Sequence, residues 1–326
     1  MKPRDIGILL DQMIVQGNTR PIILIGKPGG GKTSVVRQCA ARNEMEFLPV
    51  HLAQMEPTDL IGLPFAQGGK TVHLTPGILP TKGRGILFLD EFAQSTPMMM
   101  NAASELLLER KLGHYHMPDG WLVWCASNRR SDRAGVNEIP SHVKNRWYRI
   151  DYDTDLDDWA GWAVQNGVVN EVLAFIQWRP ALLHDFDPNK DCFPTPRSWE
   201  MVSDAMKMRL PMECLQGLVM GAVGEGACAE FLGYQKVFNQ IPDVEDCIKN
   251  PKTATVPKAP DILYALCTCL SSKADHSNIG NILKYSERLP VEFVVMIVKD
   301  CLKRDETLVK TKGIGEWVEK NQSALS

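Results

Sequence analysis

The stretch Gly26–Thr33 (GKPGGGKT) constrains this chain more than any other, because four glycines interrupt an apolar run that then restarts as a helix. Pro21–Ile25 reads as a short, fully buried strand in front of it, and Lys32–Arg42 as a helix behind it. Glycines let successive backbone N–H groups converge without a side-chain clash, so strand, loop and helix N-terminus together make a cradle for phosphate oxygens. The spacing G-x-x-x-x-G-K-[ST] also places the Lys32 ammonium to reach β/γ-phosphates and the Thr33 hydroxyl to hold Mg²⁺. Gly26, Pro28, Gly29, Gly30, Gly31 and Ser34 complete the predicted nucleotide-binding set. An unliganded Gly-rich turn would account for the glycines but not for Lys and Thr at this spacing.

Gly85–Asp90 (GILFLD) is a second apolar strand, and it ends in the acid pair Asp90 and Glu91. Carboxylates at the end of a buried strand are costly unless they have work there, and the C-terminal edge of a parallel sheet is where ligands bind. Asp90 is placed to hold the Mg²⁺ shell and Glu91 to polarise an attacking water. Trp121–Ser127 is a further apolar strand, followed by Asn128, whose amide can orient water near a γ-phosphate; Asn after a strand is otherwise a common turn residue. Phe47–His51 supplies another strand, Met98–Glu109 a helix, and Ile6, Leu9, Leu10, Met13 and Ile14 an amphipathic helix at the start. Alternating strands and helices predict an α/β domain, a parallel sheet covered on both faces.

Three exclusions follow from composition. Thirty-six basic against thirty-nine acidic residues leave a net charge of −3, which excludes a polybasic chain. Apolar runs such as Phe293–Val298 are far shorter than the roughly twenty residues a membrane span needs. The nine cysteines include no C-x-x-C pair, so buried thiols in a reducing, cytoplasmic compartment are expected rather than disulfides or structural zinc. His114 and His116 alternate along a strand without a third ligand and read as surface residues.

After Tyr152 the buried strand runs stop. Leu156–Gly167, Glu171–Trp178 and Trp199–Met208 read as helices, and prolines cluster between Ile241 and Pro260 before three more helices, at Ile262–Ser271, Ile279–Tyr285 and Val291–Lys303. The expected organisation is a nucleotide-binding αβα domain over 1–152, a helical lid over 153–240, and a linker with a helical extension over 241–326. Ala53–Gly83 is a long Gly-, Pro- and Thr-rich insertion, of a length that is uncommon unless functional or carrying small elements of its own.

The loop at 26–33, the acidic strand at 86–91 and the Ala-Ser-Asn end at 126–128 resemble the core of AAA+ ATPases. Thr58–Pro64 (TDLIGLP), Ser104–Arg110 (SELLLER) and Phe193–Arg197 (FPTPR) resemble its MoxR-like branch, as found in bacteriophages and bacteria, over about residues 1–240. The resemblance implies a parallel P-loop domain with a helical lid, ATP and Mg²⁺ as cofactors, and further site residues. Asn128 matches the position called sensor 1. Arg146, in Asn145-Arg-Trp147 where the family carries Asp-Arg-Phe, matches the arginine finger, with Arg129, Arg130, Arg133 and Arg149 as nearby competitors. Arg197 matches sensor 2. In such proteins the 53–83 insertion contributes to a central pore, so Leu63, Pro64 and Phe65 are candidates for gripping a partner; a packed loop with Phe65 in the core is the competing reading.

The function so implied is ATP hydrolysis by a ring-forming, chaperone-like remodeller. The ring is a homo-oligomer, a hexamer by resemblance, in which Arg146 acts on a neighbouring subunit's nucleotide. A partner with a von Willebrand factor A domain would act in trans. A nucleic-acid motor or clamp-loading ATPase would share the site, although no basic stripe interleaved with aromatics supports it. A P-loop kinase would explain residues 26–33 but not the acid pair, the Asn strand and the Pro-Arg lid together.

Overall fold

The apolar runs do pair in parallel. The computed structural model describes residues 1–132, 135–238, 240–311, 313–315 and 317, and the chain divides into two units, Met1–Asp155 and Leu156–Ser326. The first runs through α1 (Pro3–Val15), β1 (Ile22–Ile25), α2 (Lys32–Arg42), β2 (Glu46–His51) and α3 (Pro57–Ile61). There follow β3 (Pro64–Gln67), β4 (Lys70–His73), β5 (Gly85–Asp90), α4 (Pro97–Glu109), β6 (Lys111–Leu112), β7 (Tyr115–His116), β8 (Trp121–Ser127), α5 (Ser141–Lys144) and β9 (Tyr148–Asp151). Five strands make one sheet in the order β2-β5-β8-β1-β9, every neighbouring pair parallel.

Strand side chains alternate between two faces, and both faces here are apolar. Ile22, Leu24, Ile86, Phe88, Leu122 and Trp124 pack with Ile6 and Leu10 of α1 and Val36 and Cys39 of α2. Ile23, Ile25, Leu87, Leu89, Val123 and Cys125 pack with Met99, Ala103 and Leu106 of α4. Thr96 starts α4 by accepting the Met99 N–H at 3.2 Å, ahead of Pro97 in the first turn, where a missing N–H costs nothing. The edge strand β9 has no counterpart in the sequence reading. Of its four residues only Ile150 is buried, so it carries none of the apolar continuity that marks the central strands.

The 53–83 insertion has its own elements. The helix α3 leads into the antiparallel hairpin β3–β4, turned by Gly68 and Gly69 at φ +58° and +72°. Both turn residues are left-handed, the conformation in which a two-residue loop matches strand twist. Leu63 and Phe65 are 64% and 53% exposed, so Phe65 is not a core residue. His116 is exposed on the β6–β7 hairpin and His114 on its turn, as the absence of a third ligand suggested.

The second unit holds α6 (Leu156–Gln165), α7 (Asn170–Trp178), α8 (Pro196–Lys207), α9 (Met212–Val223), α10 (Glu225–Phe238), α11 (Val244–Lys249), α12 (Pro260–Ser272), α13 (Ile279–Ser286) and α14 (Val291–Arg304). One apolar cluster centres on Phe175, Trp199, Val219 and Phe231, another on Leu266, Ile282, Tyr285 and Ile297. The Pro-rich 241–260 stretch runs between them, yet α12 packs on α7 and α14 on α6. A buried polar link joins these helices: Gln177 donates to Asp300 at 2.8 Å and accepts from Thr268 at 3.0 Å. The sequence reading did not pick out α9 or α10. The buried stripe of α9 is only Leu215, Val219 and Val223, and its other face mixes Met, Leu and Gly, so no amphipathic contrast is visible. Among the described residues no helix is long and apolar enough to cross a membrane, and all nine cysteines are free.

Candidate nucleotide site at the sheet edge

At the C-terminal end of β1 the chain turns through Gly29 and Gly31, at φ +70° and +101°, into α2. No side chain caps α2, which leaves the N–H groups of its first turn for a ligand. Lys32 is 8% exposed. Its ammonium donates to the carbonyls of Gly26 and Lys27, both at 2.9 Å, and to Asn128 Oδ1 at 3.0 Å. A buried charge needs such partners, and an ammonium has three protons to offer them.

One residue on, Thr33 Oγ1 donates to Asp90 Oδ2 at 2.6 Å, while Asp90 Oδ1 accepts the Glu91 backbone N–H at 2.9 Å. The β5 carboxylate is thereby fixed from two sides. Glu91 sits at φ +57°, ψ +35° and begins a short 3-10 turn, Phe92–Gln94. A left-handed non-glycine backbone costs about 1–2 kcal/mol, and such strain clusters at functional positions. On the neighbouring strand, Cys125 is in register with Leu89, one residue before Asp90, and burial, then the charge of Asp90, pushes its thiol well up. It is held protonated and inert.

Lys32, Thr33, Asp90 and Asn128 therefore meet at one edge in direct bonds, with Glu91 next to Asp90. The sequence reading missed two neighbours, Gln94 and Tyr152, and named a third, Arg129, only as a competitor for the arginine finger. Gln94 Oε1 accepts from the Ser127 hydroxyl at 3.0 Å and lies 3.5 Å from the Asn128 N–H. Tyr152, just past β9, donates its hydroxyl to the Gly30 carbonyl at 2.7 Å and its N–H to the Ile25 carbonyl at 2.7 Å. Arg129 Nη2 donates to the Tyr152 carbonyl at 3.2 Å and pairs with Asp153. Spacing carries no signal for Gln94 or Tyr152. They reach the site only because β8, β1 and β9 are adjacent.

The glycine at 26 has a tertiary reason too. A Cβ there would lie 2.6 Å from the Tyr152 carbonyl oxygen, so close approach of the chain leaving β9 demands glycine independently of any phosphate.

Arg146 is exposed on the turn between α5 and β9, and Arg130 is exposed as well. Arg149 pairs with Asp151 at 3.1 Å, Arg129 is engaged as described, and Arg133 lies outside the described residues. Arg197 belongs to the second unit, where it is exposed in the first turn of α8 beside the Thr195–Ser198 capping box.

A cavity of about 590 Å³ lies on the Asn128 side, lined by Ile25, Ser127, Asn128, Arg129, Arg149 and Asp151 among others, and Lys32, Thr33, Asp90 and Glu91 are not in its lining. The donor chemistry fits Mg-ATP. A hydroxyl and a carboxylate oxygen in contact are hard ligands suited to a partly hydrated Mg²⁺, and among the described residues no cluster would make an all-protein metal cage. The uncapped helix start and buried ammonium suit phosphate. When bound, the nucleotide and Mg²⁺ supply the phosphoanhydride bond and a cation that offsets its charge. Thr33 and Asp90 would hold the ion, Lys32 the phosphates, and Glu91 the water.

This geometry defines the class: a P-loop αβα domain of the AAA+ fold. Residues 21–144 match the model of the AAA domain of the dynein-related subfamily. No curated protein matches the chain. Among solved structures, a RuvB mutant from Thermotoga maritima is similar at 14% identity and TM-score 0.44, covering 82% of this chain and 80% of that one. NtrX from Brucella abortus in complex with ATP is similar at 16% identity and TM-score 0.42, covering 98% of this chain and 66% of that one.

Proposed function

We propose that this chain is a Mg-ATP-hydrolysing AAA+ ATPase of the MoxR type, working as a homo-oligomeric, hexameric ring that remodels a protein partner. The observation that carries the hydrolytic part is the bonded set Lys32, Thr33, Asp90 and Asn128 with Glu91 beside it. Lys32 neutralises phosphate charge, Thr33 and Asp90 supply the ion's protein oxygens, and Glu91 is the base that polarises water. The exposed hairpin with Leu63 and Phe65 supports a partner-gripping role, since exposed large apolar side chains grouped on one element mark interaction surfaces. The exposed Arg146 supports a finger offered to a second subunit. A partner with a von Willebrand factor A domain, encoded separately, belongs to the same reading.

Two variants test it. Lys32→Ala should lose nucleotide binding, because it removes the ammonium that meets the phosphates. Glu91→Gln should retain binding while hydrolysis falls sharply, because the ion's ligands remain and only water activation is lost. Hydrolysis by Glu91→Gln at the rate of the unmodified chain would end the assignment of the acid pair.

A further inference from the structure

Tyr152 touches both halves of the site through three separate groups. Its N–H reaches the Ile25 carbonyl at 2.7 Å, immediately before the phosphate loop. The hydroxyl, at the other end of the side chain, donates to the Gly30 carbonyl within that loop at 2.7 Å. Its own carbonyl accepts from Arg129 at 3.2 Å, and Arg129 is the residue after Asn128. Tyr152 is 4% exposed, and a Cβ on Gly31 would come within 3.0 Å of its hydroxyl, so the ring leaves the loop little room to move. Arg129 is anchored at the same time to the Asp153 carboxylate.

This matters because Lys32 already has three acceptors, one of them Asn128 Oδ1. A γ-phosphate must take over at least part of that capacity. The Gly26 and Lys27 carbonyls belong to the loop's own backbone, and Gly26 is further tied by its N–H to the Ser127 carbonyl at 3.3 Å. The Asn128 side chain is the acceptor that can yield. Its backbone must then stay in place if the freed amide is to meet the phosphate, and the anchored Arg129 next to it, together with Gln94 at the Asn128 N–H, helps to hold it.

We infer that Tyr152 and Arg129 are positioning residues, a brace that fixes the phosphate loop and the Asn128 turn against each other. In this brace the Tyr152 hydroxyl sets the shape of the loop that any nucleotide meets. The Arg129 guanidinium sets the position of Asn128 and hence the preference for ATP over ADP. The inference rests on the proposed nucleotide site and assigns it two residues that touch neither phosphate nor ion.

The test is equilibrium binding of ADP and of a non-hydrolysable ATP analogue, with thermal unfolding of each variant alongside. Tyr152→Phe keeps the ring and removes one hydrogen bond, leaving the Gly30 carbonyl unpaired, so both nucleotides should weaken about fivefold together. Arg129→Ala should leave ADP within about twofold and cut the preference for the analogue about three- to fivefold, the scale of a half-exposed ion pair. Asp153→Asn should reproduce that loss, and the double variant Arg129→Ala/Asp153→Asn should lose no more than either alone. Arg129→Lys, which keeps charge but not the planar fork, should recover part of it. Unchanged ratios in Arg129→Ala, or additive losses in the double variant, would overturn the brace. Failure of the unmodified chain to bind either nucleotide would instead remove the proposed function itself.

Discussion

Thr33 and Asp90 are bonded to each other, 2.6 Å between hydroxyl and carboxylate oxygens, although one opens α2 and the other closes β5. The bond needs β1 and β5 to end at the same sheet edge with β8 between them, as the strand order provides. It holds two hard oxygens side by side, the arrangement the proposed Mg²⁺ site would use.

That arrangement predicts a specific ion dependence. Thr33→Val removes the hydroxyl yet keeps a β-branched side chain, and Asp90→Asn removes the charge. Either should raise the Mg²⁺ concentration required for half-maximal hydrolysis by about tenfold or more, the usual cost of disturbing a metal ligand or its orienting partner. Titration of ATPase rate against Mg²⁺ at fixed nucleotide measures it. An unshifted midpoint in both variants would place the ion elsewhere.

Gly26→Ala tests the close approach of Tyr152. The added Cβ would meet backbone oxygen at 2.6 Å, which no rotamer change relieves. We expect a loss of about 1–3 kcal/mol, as for other overpacked interiors, seen as a lower denaturation midpoint. Nucleotide binding should weaken with it. A stable Gly26→Ala chain with a normal midpoint would mean that the β9 end moves aside freely.

Arg146 is exposed, so its removal should spare folding and nucleotide binding. In a ring it should nevertheless cost about 10³–10⁵ in hydrolysis, the range of an arginine finger. Mixing Arg146→Ala with Lys32→Ala should restore part of the rate, since an intact loop can then face an intact finger across a subunit boundary. ATPase plotted against mixing ratio should pass through a maximum. If subunits exchange and no maximum appears, Arg149, which forms an exposed pair with Asp151, or Arg133 is the next residue to examine.

Asp300 gives a pH prediction in the second unit. Burial pushes its carboxyl above the ordinary 3.8, opposed by the Gln177 amide and the charges of Lys303 and Arg304. The folded chain thus holds this proton more tightly than the unfolded one. The associated stability is fully present below the unfolded value, about pH 4, and is lost as pH rises through the raised folded value. Asp300→Asn imitates the neutral form and keeps an acceptor for Gln177. Its melting temperature should exceed that of the unmodified chain at about pH 7, with the gap closing towards about pH 4. A gap independent of pH would show that the carboxyl ionises in the fold at no cost.

Much of the first unit was legible because its signals are local. Lys32–Arg42 has the same bounds in the sequence reading and in the fold, as do Gly85–Asp90 and Trp121–Ser127. Central strands buried on both faces must be apolar throughout, and the glycine loop must lie between a strand and a helix. The weaker elements were read unevenly: the edge strand β2 was found although it buries only Val50, whereas β9, which buries only Ile150, and α9, with a narrow stripe under exposed Met and Leu, were not.

Sequence alone therefore determined which chemical groups the chain brings to the site: ammonium, hydroxyl, paired carboxylates and amide, each named by motif spacing along one strand or loop. Only the tertiary structure decided what holds those groups. Tyr152 and Gln94 are distant in the chain from the loop or turn each one steadies, Arg129 is distant from the Tyr152 and Asp153 that anchor it, and strand order brings them together. The same order gave Gly26 its second reason to be glycine and separated the committed Arg129 from the exposed Arg146. A motif records contacts made within a few residues, where backbone geometry fixes the spacing. A contact between strands depends on which edges pair, and that is settled by burying two apolar faces at once.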